Sequence, residues 1–351
     1  MQRSTMPRIE LSRLEDFATT ILHHAGMAEE NASTVAKVMC AADRIGLGSH
    51  GVARLSTYLE RVRAGVMEID PEVVVTSETA SVATVDAANG FGQVAATLAM
   101  NLAMDKARRT GIAAVSVKNS NHFGIAGHYA RTAAENRLIG IVMTNASPAL
   151  PPFNAKDKLL GTNPVAIGVP SLNQPLAVLD MSSTLVARGK IRRHLEEGRT
   201  TLPRGWANDA QGRPTTDPHE ALKGSLAPIG GPKGAGLALM IDLLTGVLSG
   251  TTVTGDVGNL LDASRTAKTS HLMIALDPDK FIGGTAFGEL VDTVLATISS
   301  MEPADGGRVY YPGLVEHDRS LDAAENGADI TNEGLDRLNR EASIYGLSPL
   351  V

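Results

Sequence analysis

The hydrophobic period of this chain first changes near residue 72, and that change limits the folds open to it. Before it, apolar residues recur at helical spacing. Ser12 and Glu15 form an S-x-x-E pattern that predicts a capped helix over LSRLEDFATTILHHAG, closed by Gly26. ENASTVAKVMCAADRIG reads as a second helix. VARLSTYLERVRAG reads as a third, with Val52, Leu55, Leu59 and Val62 on one face and Gly65 at its end. After residue 72, short β-branched runs take over: VVVTSE, SVATVD, GIAAVSV, LIGIVMTN, PVAIGVP, LAVLDM and HLMIALD all read as strands. Helices are expected at AATLAMNLAMDKARRTG, around 125–136, over 235–249 and at TAFGELVDTVLATISSM. The tail ITNEGLDRLNREASIYG is helical again and is free to pack on the first three helices. Strand and helix do not alternate cleanly, so the expected class is α/β with a mixed sheet rather than a doubly wound parallel one.

Composition narrows the function. The 351 residues suffice for one large or two ordinary domains, with 43% apolar and 20% charged residues. A net charge of −6 and the lack of a basic stripe argue against nucleic acid. Cys40 stands alone, and no Cys/His cluster has zinc spacing, which favours a reducing compartment and no structural metal. The start, MQRSTMPRIELSRLEDF, lacks the apolar core of a signal peptide, and no run is long enough to span a membrane. A cytoplasmic protein is expected.

Four stretches carry candidate chemistry. In SHGVAR, His50 and Arg54 share a helix face if Gly51 and Val52 open the third helix. A guanidinium there suits a carboxylate, with an imidazole beside it; a surface arginine and a capping histidine fit the same spacing. In KNSNHFGIAGHYA, His122 follows Asn121, a good N-cap, where a strand gives way to a helix. That edge is where α/β sheets place their sites, and an imidazole there can exchange a proton at neutral pH. His128 reads as structural. In LDMSST, Asp180 is placed either to orient an imidazole or simply to cap the next segment. In PIGGPKGAGLALMIDLL, glycines and Lys233 ahead of a helix suit a phosphate or a plain turn. Lys233 is followed by Gly234, so this is not a nucleotide-hydrolysing P-loop, and no G-x-G-x-x-G follows an early strand. The basic run RGKIRR at 188–193 reads as a solvated face.

Taken in order, SHGVARLSTYLERVRAG, SNHFGIAGHYA, GTNPVAIGVP, LDMSSTLVARGKI, GWANDAQGRPTTDP and GGPKGAGLALMIDLLTGVLSG resemble the malate/L-lactate dehydrogenase family of non-Rossmann oxidoreductases. The likeness runs from about residue 10 to 315. It implies a homodimer and a division into two domains. A helical domain comprises 1–72 joined by 314–351. An NAD(P)-binding domain, 73–313, is built on a mixed, largely antiparallel sheet, with the cleft at the domain and dimer interface. It further implies that His122 or His50 is the acid/base and that Asp180 assists. Arg54 would hold the substrate carboxylate, with Ser49 and Tyr58 beside it. Asp180, Met181, Ser182, Ser183, Thr184, Lys233 and Gly234 would stand near NAD or NADP. Gly306, Gly307 and Arg308 of the loop ADGGRVYYPG would join them. The block SNHFG replaces the G-H-S-G form of ureidoglycolate enzymes, and Ala146 stands where some members place a serine.

The expected reaction is hydride transfer between nicotinamide and C2 of a small 2-hydroxy or 2-oxo acid. Reduction of a cyclic imino acid of the Δ1-piperideine-2-carboxylate type is the alternative. In both, Asp180 would hold the His122 imidazole and the hydroxyls of 182–184 would bind cofactor. No metal is expected.

Overall fold

The computed structural model describes residues 6–252 and 254–351; the first five residues of the segment read as lacking a leader lie outside the described residues. The chain opens with strand β1 (Arg8–Ile9), then α1 (Leu11–His24), α2 (Glu29–Arg44) and α3 (Leu55–Arg63). Strands β2 (Val74–Glu78) and β3 (Val82–Asp86) lead into α4 (Gly92–Thr110), β4 (Ile112–Ser120), α5 (Ala126–Glu135) and β5 (Ile139–Thr144). There follow β6 (Val165–Val169), β7 (Ala177–Met181) and α6 (Arg188–Glu196). A small excursion holds β8 (Ala207–Asn208), β9 (Pro214–Thr215), α7 (Pro218–Lys223) and β10 (Ser225–Leu226). The remainder is α8 (Pro232–Asp242), β11 (Thr269–Leu276), α9 (Gly284–Ser299), α10 (Leu314–Asn326), β12 (Ala328–Asp329) and α11 (Asn332–Ile344).

Seven strands form the central sheet in the order β2-β3-β4-β11-β5-β6-β7. Only β3 and β4 pair in parallel; the other neighbours are antiparallel, as the irregular strand–helix order predicts. One core joins α4 and α5 to this sheet. Ala95, Ala99 and Ala103 of α4 pack with Val85, Val115, Val117 and Met273. Alanine lets a helix lie close to a sheet, and glycine lets it lie closer. A Cβ on Gly168 of β6 would run into the Ala130 carbonyl of α5, and one on Gly140 of β5 would lie 2.6 Å from the Ala133 side chain.

The second core is helical and built from both chain ends. Leu14, Ala18, Leu22, Val35, Leu55 and Leu59 pack with Leu338 and Ala342 of α11. The β1–β12 pair and an ion pair between Arg63 and Glu341 tie those ends together. The tail therefore does pack on the first three helices.

Three local expectations change. Ser12 does not cap α1: Glu10 occupies the N-cap, and the Ser12 hydroxyl turns back to the Glu10 carboxylate at 2.5 Å. The third helix does not begin at residue 52. Two 3-10 turns, Gly48–His50 and Val52–Arg54, precede α3, separated by an extended Gly51. Nor does α8 run unbroken to 249; it passes at Leu243 into a π-turn that ends at Val247.

Candidate active site

His122 lies just past the end of β4, and the turn after it is built to hold that place. The Asn121 side chain does not cap α5, which begins at Ala126. It is buried instead, and its amide donates to the carbonyls of Asn89 at 2.8 Å and Gly90 at 2.9 Å. Gly124, at φ +87°, bends the chain between His122 and the helix. The conformation of residues 121–125 thus comes from burying an amide and freeing one glycine.

The His122 ring has three near partners, one of them the Gly124 N–H, which donates to its Nδ1 at 3.3 Å. Its Nδ1 lies 2.6 Å from the Tyr58 hydroxyl, and its face stacks on the His50 ring, with centroids 5.5 Å apart and planes 24° from parallel. Tyr58 is fully buried on α3, edge-on to Phe91. Behind His122, Phe123 stacks on His271 at 4.4 Å. The His271 imidazole bridges Thr144 at 2.7 Å and Ser120 at 2.8 Å, tying the ends of β4 and β5 together across β11.

His50 ends the first 3-10 turn, with its Nδ1 2.9 Å from the Ser49 hydroxyl. Arg54, from the second turn, donates through Nε to the Ser49 carbonyl at 2.6 Å. His50 and Arg54 therefore do not share a helix face; two tight turns bring them together. Among the described residues no carboxylate pairs with Arg54, though its guanidinium is half-buried. A half-buried guanidinium with no carboxylate partner is suited to receive an anion.

A cleft of about 150 Å³ opens between His50 and His122. Its walls include Phe123, the Thr144–Ser147 stretch, Thr162 and Leu260. Burial, and then the Arg54 charge, pushes His50 down to about 4. Burial pushes His122 well below its ordinary range, with His50, Arg54 and His271 adding to the effect. Both imidazoles are therefore neutral at pH 7. Tyr58 is pushed up by burial to about 12 and stays a phenol.

Asp180 is elsewhere. Its carboxylate accepts from the Gly127 N–H at 2.7 Å, at the start of α5, and burial raises it to about 6. It lines a second cavity of about 490 Å³ with His128, Cys40 and Glu316. Within the chain, Asp180 does not hold His122; Tyr58 takes the position expected for it, and so stands behind the imidazole rather than in the cleft wall.

The cofactor candidates fall into two groups. The Ser183 and Thr184 hydroxyls are buried and donate to the Thr162 and Val186 carbonyls, so they build the turn after β7 rather than face outward. Ser182, half-buried, stands over Thr184 at 3.1 Å. The same turn meets the start of α8, where Gly230 and Gly231 take positive φ and Gly234 packs against the Ser183 carbonyl. Lys233 is exposed, and among the described residues no carboxylate pairs with it. The loop of Gly306, Gly307 and Arg308 is joined to β7 by the Val178 N–H donating to the Pro312 carbonyl. Arg308 itself pairs with Asp318 at 2.8 Å. Among the described residues no cluster of His, Cys, Asp and Glu could hold a metal. The exposed Lys233 and the free backbone at the glycine turns before α8 have the chemistry that the phosphates of a nicotinamide dinucleotide would need.

Sequence reasoning missed the Tyr58–His122 contact, the His271 bridge and, apart from Ala146, the Thr144–Ser147 wall. The last had a signal: the apolar strand LIGIVM ends in polar Thr144 and Asn145.

Comparison with known proteins gives these features their setting. L-sulfolactate dehydrogenase of Methanocaldococcus jannaschii is 37% identical over 328 residues, 93% of this chain and 94% of that protein. Its solved structure superposes with a TM-score of 0.91 at 35% identity, covering 97% of this chain and 98% of that one. Malate dehydrogenase of Pyrococcus abyssi is 36% identical over 352 residues, 98% of this chain and 96% of that protein. (2R)-3-sulfolactate dehydrogenase (NADP(+)) of Chromohalobacter salexigens is 36% identical over 310 residues, 88% of this chain and 90% of that protein. The fold and these relatives define a dehydrogenase that acts on the CH–OH group of 2-hydroxy acids. The chain belongs to the malate/L-lactate dehydrogenase family, whose profile matches residues 9–339.

Proposed function

We propose that the enzyme interconverts a small 2-hydroxy acid and its 2-oxo acid in the cleft between His50 and His122. The observation that carries this reading is the pair of stacked, neutral imidazoles beside an unpaired guanidinium. Arg54 grips the substrate carboxylate in its fork, which sets C2 and its oxygen against the histidines. His122 takes the hydroxyl proton on Nε2 in oxidation and returns it in reduction. For that, the ring takes the tautomer with its proton on Nδ1, directed at the Tyr58 oxygen at 2.6 Å in place of the longer 3.3 Å contact from the Gly124 N–H, and Tyr58 plays the orienting part expected of Asp180. His50, steadied by Ser49, donates to or accepts from the same oxygen.

Bound NAD or NADP supplies the hydride acceptor or donor. Lys233, Ser182 and the backbone of 181–184 would hold it, with Gly234 keeping α8 close to that turn, and the 306–308 loop would close over it. The reading divides the chain into a helical body, 1–72 with 314–351, and a cofactor-binding body, 73–313. It includes a homodimer, for which the exposed Leu239, Met240, Leu243, Leu244, Val247 and Leu248 offer an apolar face. Among the described residues no helix is long and apolar enough to cross a membrane.

A substrate panel tests the reading. Oxaloacetate, sulfopyruvate, pyruvate, the 2-oxo form of ureidoglycolate and a cyclic imine are each offered with NADH and NADPH, and loss of reduced-nicotinamide absorbance is followed. The account expects turnover of one or more 2-oxo acids. Turnover of the cyclic imine alone would make C=N reduction the activity, and no turnover at all would remove the reading. Tyr58→Phe gives a finer test: removing one neutral hydrogen bond from Nδ1 should lower kcat by about tenfold with KM little changed. An unchanged kcat would take Tyr58 out of the mechanism.

A further inference from the structure

Asp43 sits on the last turn of α2, 3% exposed, and lies in neither cavity wall near the histidines. Its Oδ2 accepts from the Val52 N–H at 2.8 Å. That amide is the first of the second 3-10 turn, which ends at Arg54. On the other side of the carboxylate runs the first turn, Gly48–His50, where a Cβ on Gly48 would be 3.6 Å from Oδ1. Gly51 joins the two turns, and a Cβ there would lie inside the van der Waals shell of all three carboxylate atoms. The chain thus reverses around this one buried side chain.

Gly51 is informative in a second way. Its φ of −83° and ψ of −164° are extended backbone that alanine adopts freely. Nothing in the local conformation requires glycine; only the Asp43 carboxylate does. Burial raises Asp43 to about 7, so its part in the turn does not depend on a fixed negative charge.

We propose that Asp43 is a positioning residue for the reaction, a latch that sets His50 and Arg54 relative to each other by holding the reversal between their two turns. The inference rests on the reading of those two residues as substrate groups. A displacement of about 1 Å at such groups can cost about a hundredfold in rate. The latch acts on the substrate side alone, because the residues placed near the cofactor come from β7, α8 and the 304–313 loop.

Four variants test it: Asp43→Asn, Asp43→Ala, Gly51→Ala and the double Asp43→Ala/Gly51→Ala. Kinetics are measured with oxaloacetate, or with the best 2-oxo acid of the panel, and melting temperatures are measured without substrate. Asp43→Ala should lower kcat/KM for the oxo acid by about 10- to 100-fold, with KM for reduced nicotinamide within about twofold. Asp43→Asn keeps an acceptor for Val52 and should recover most of the loss. Gly51→Ala should lower Tm in the parent, and should lower it no further in the Asp43→Ala background, because the clash is gone. Additive losses of Tm would overturn the latch. So would an Asp43→Ala enzyme with parental kcat/KM, or an Asn variant no better than Ala. If no 2-oxo acid is turned over by the parent, the functional reading fails by itself, and the melting cycle still decides whether the latch exists.

Discussion

Replacing His122 with alanine lowers kcat by about 10²–10⁴-fold, the range that a positioned acid/base contributes, while cofactor affinity stays within about twofold. The imidazole touches Tyr58, the Gly124 amide and the His50 ring, and none of these is a group placed near the cofactor. The loss should therefore fall on the chemical step. Its pH dependence follows from the direction of the shifts. His50 and His122 both titrate lower than a free imidazole, so both remain unprotonated as pH falls through 6.5. The kcat/KM for oxidation, which needs a free base, should hold level there and decline only toward pH 4, where His50 takes its proton. A decline centred near 6.5 would mean that the base is solvated. A His122→Ala enzyme with near-parental kcat would hand the role to His50.

Arg54→Lys raises KM for the 2-oxo acid by roughly 10- to 100-fold, as expected for losing one charge-assisted hydrogen bond of a pair. Lysine keeps the charge but not the fork. It also loses the Nε donor that holds the Ser49 carbonyl at 2.6 Å, and Ser49 in turn contacts His50. A smaller fall in kcat should accompany the rise in KM. Substrate steady-state kinetics at saturating cofactor measure both, and unchanged values would discard the carboxylate clamp.

Much of the fold is visible in the sequence because periodicity reports burial. The switch from a 3.6 to a two-residue period marks the boundary between the helical body and the sheet, and every strand read from residue 72 onward is present. Helix starts were less legible. Ser12 with Glu15 has the letters of a capping box, but Glu10 already fills the N-cap and Ser12 is a residue inside the helix. The Gly48–Arg54 segment has helical spacing, yet its shape is fixed by Asp43, contributed by the preceding helix. A tertiary contact overrode the local pattern.

The site was legible in the same uneven way. His50, Arg54 and His122 could be picked out by residue type and placement at element ends; the structure stacks His50 on His122 and ties Arg54 to His50 through Ser49, with Arg54 outside the walls of the cleft. Asp180 has equally suggestive neighbours, but side chains on a strand alternate between faces, and its carboxylate turns toward α5. Ser183 and Thr184 bear hydroxyls that look outward in a linear reading and are spent on backbone carbonyls. Tyr58 was assigned to substrate, and nothing in the sequence says that its hydroxyl meets an imidazole 64 positions away.

A crystal structure of the enzyme with reduced nicotinamide cofactor and oxamate tests the central claim most directly. The account predicts the oxamate carboxylate in the fork of Arg54 and its remaining oxygen at hydrogen-bond distance from His122 or His50. Oxamate seated instead in the cavity of Asp180 and His128, with Arg54 bare, would contradict it.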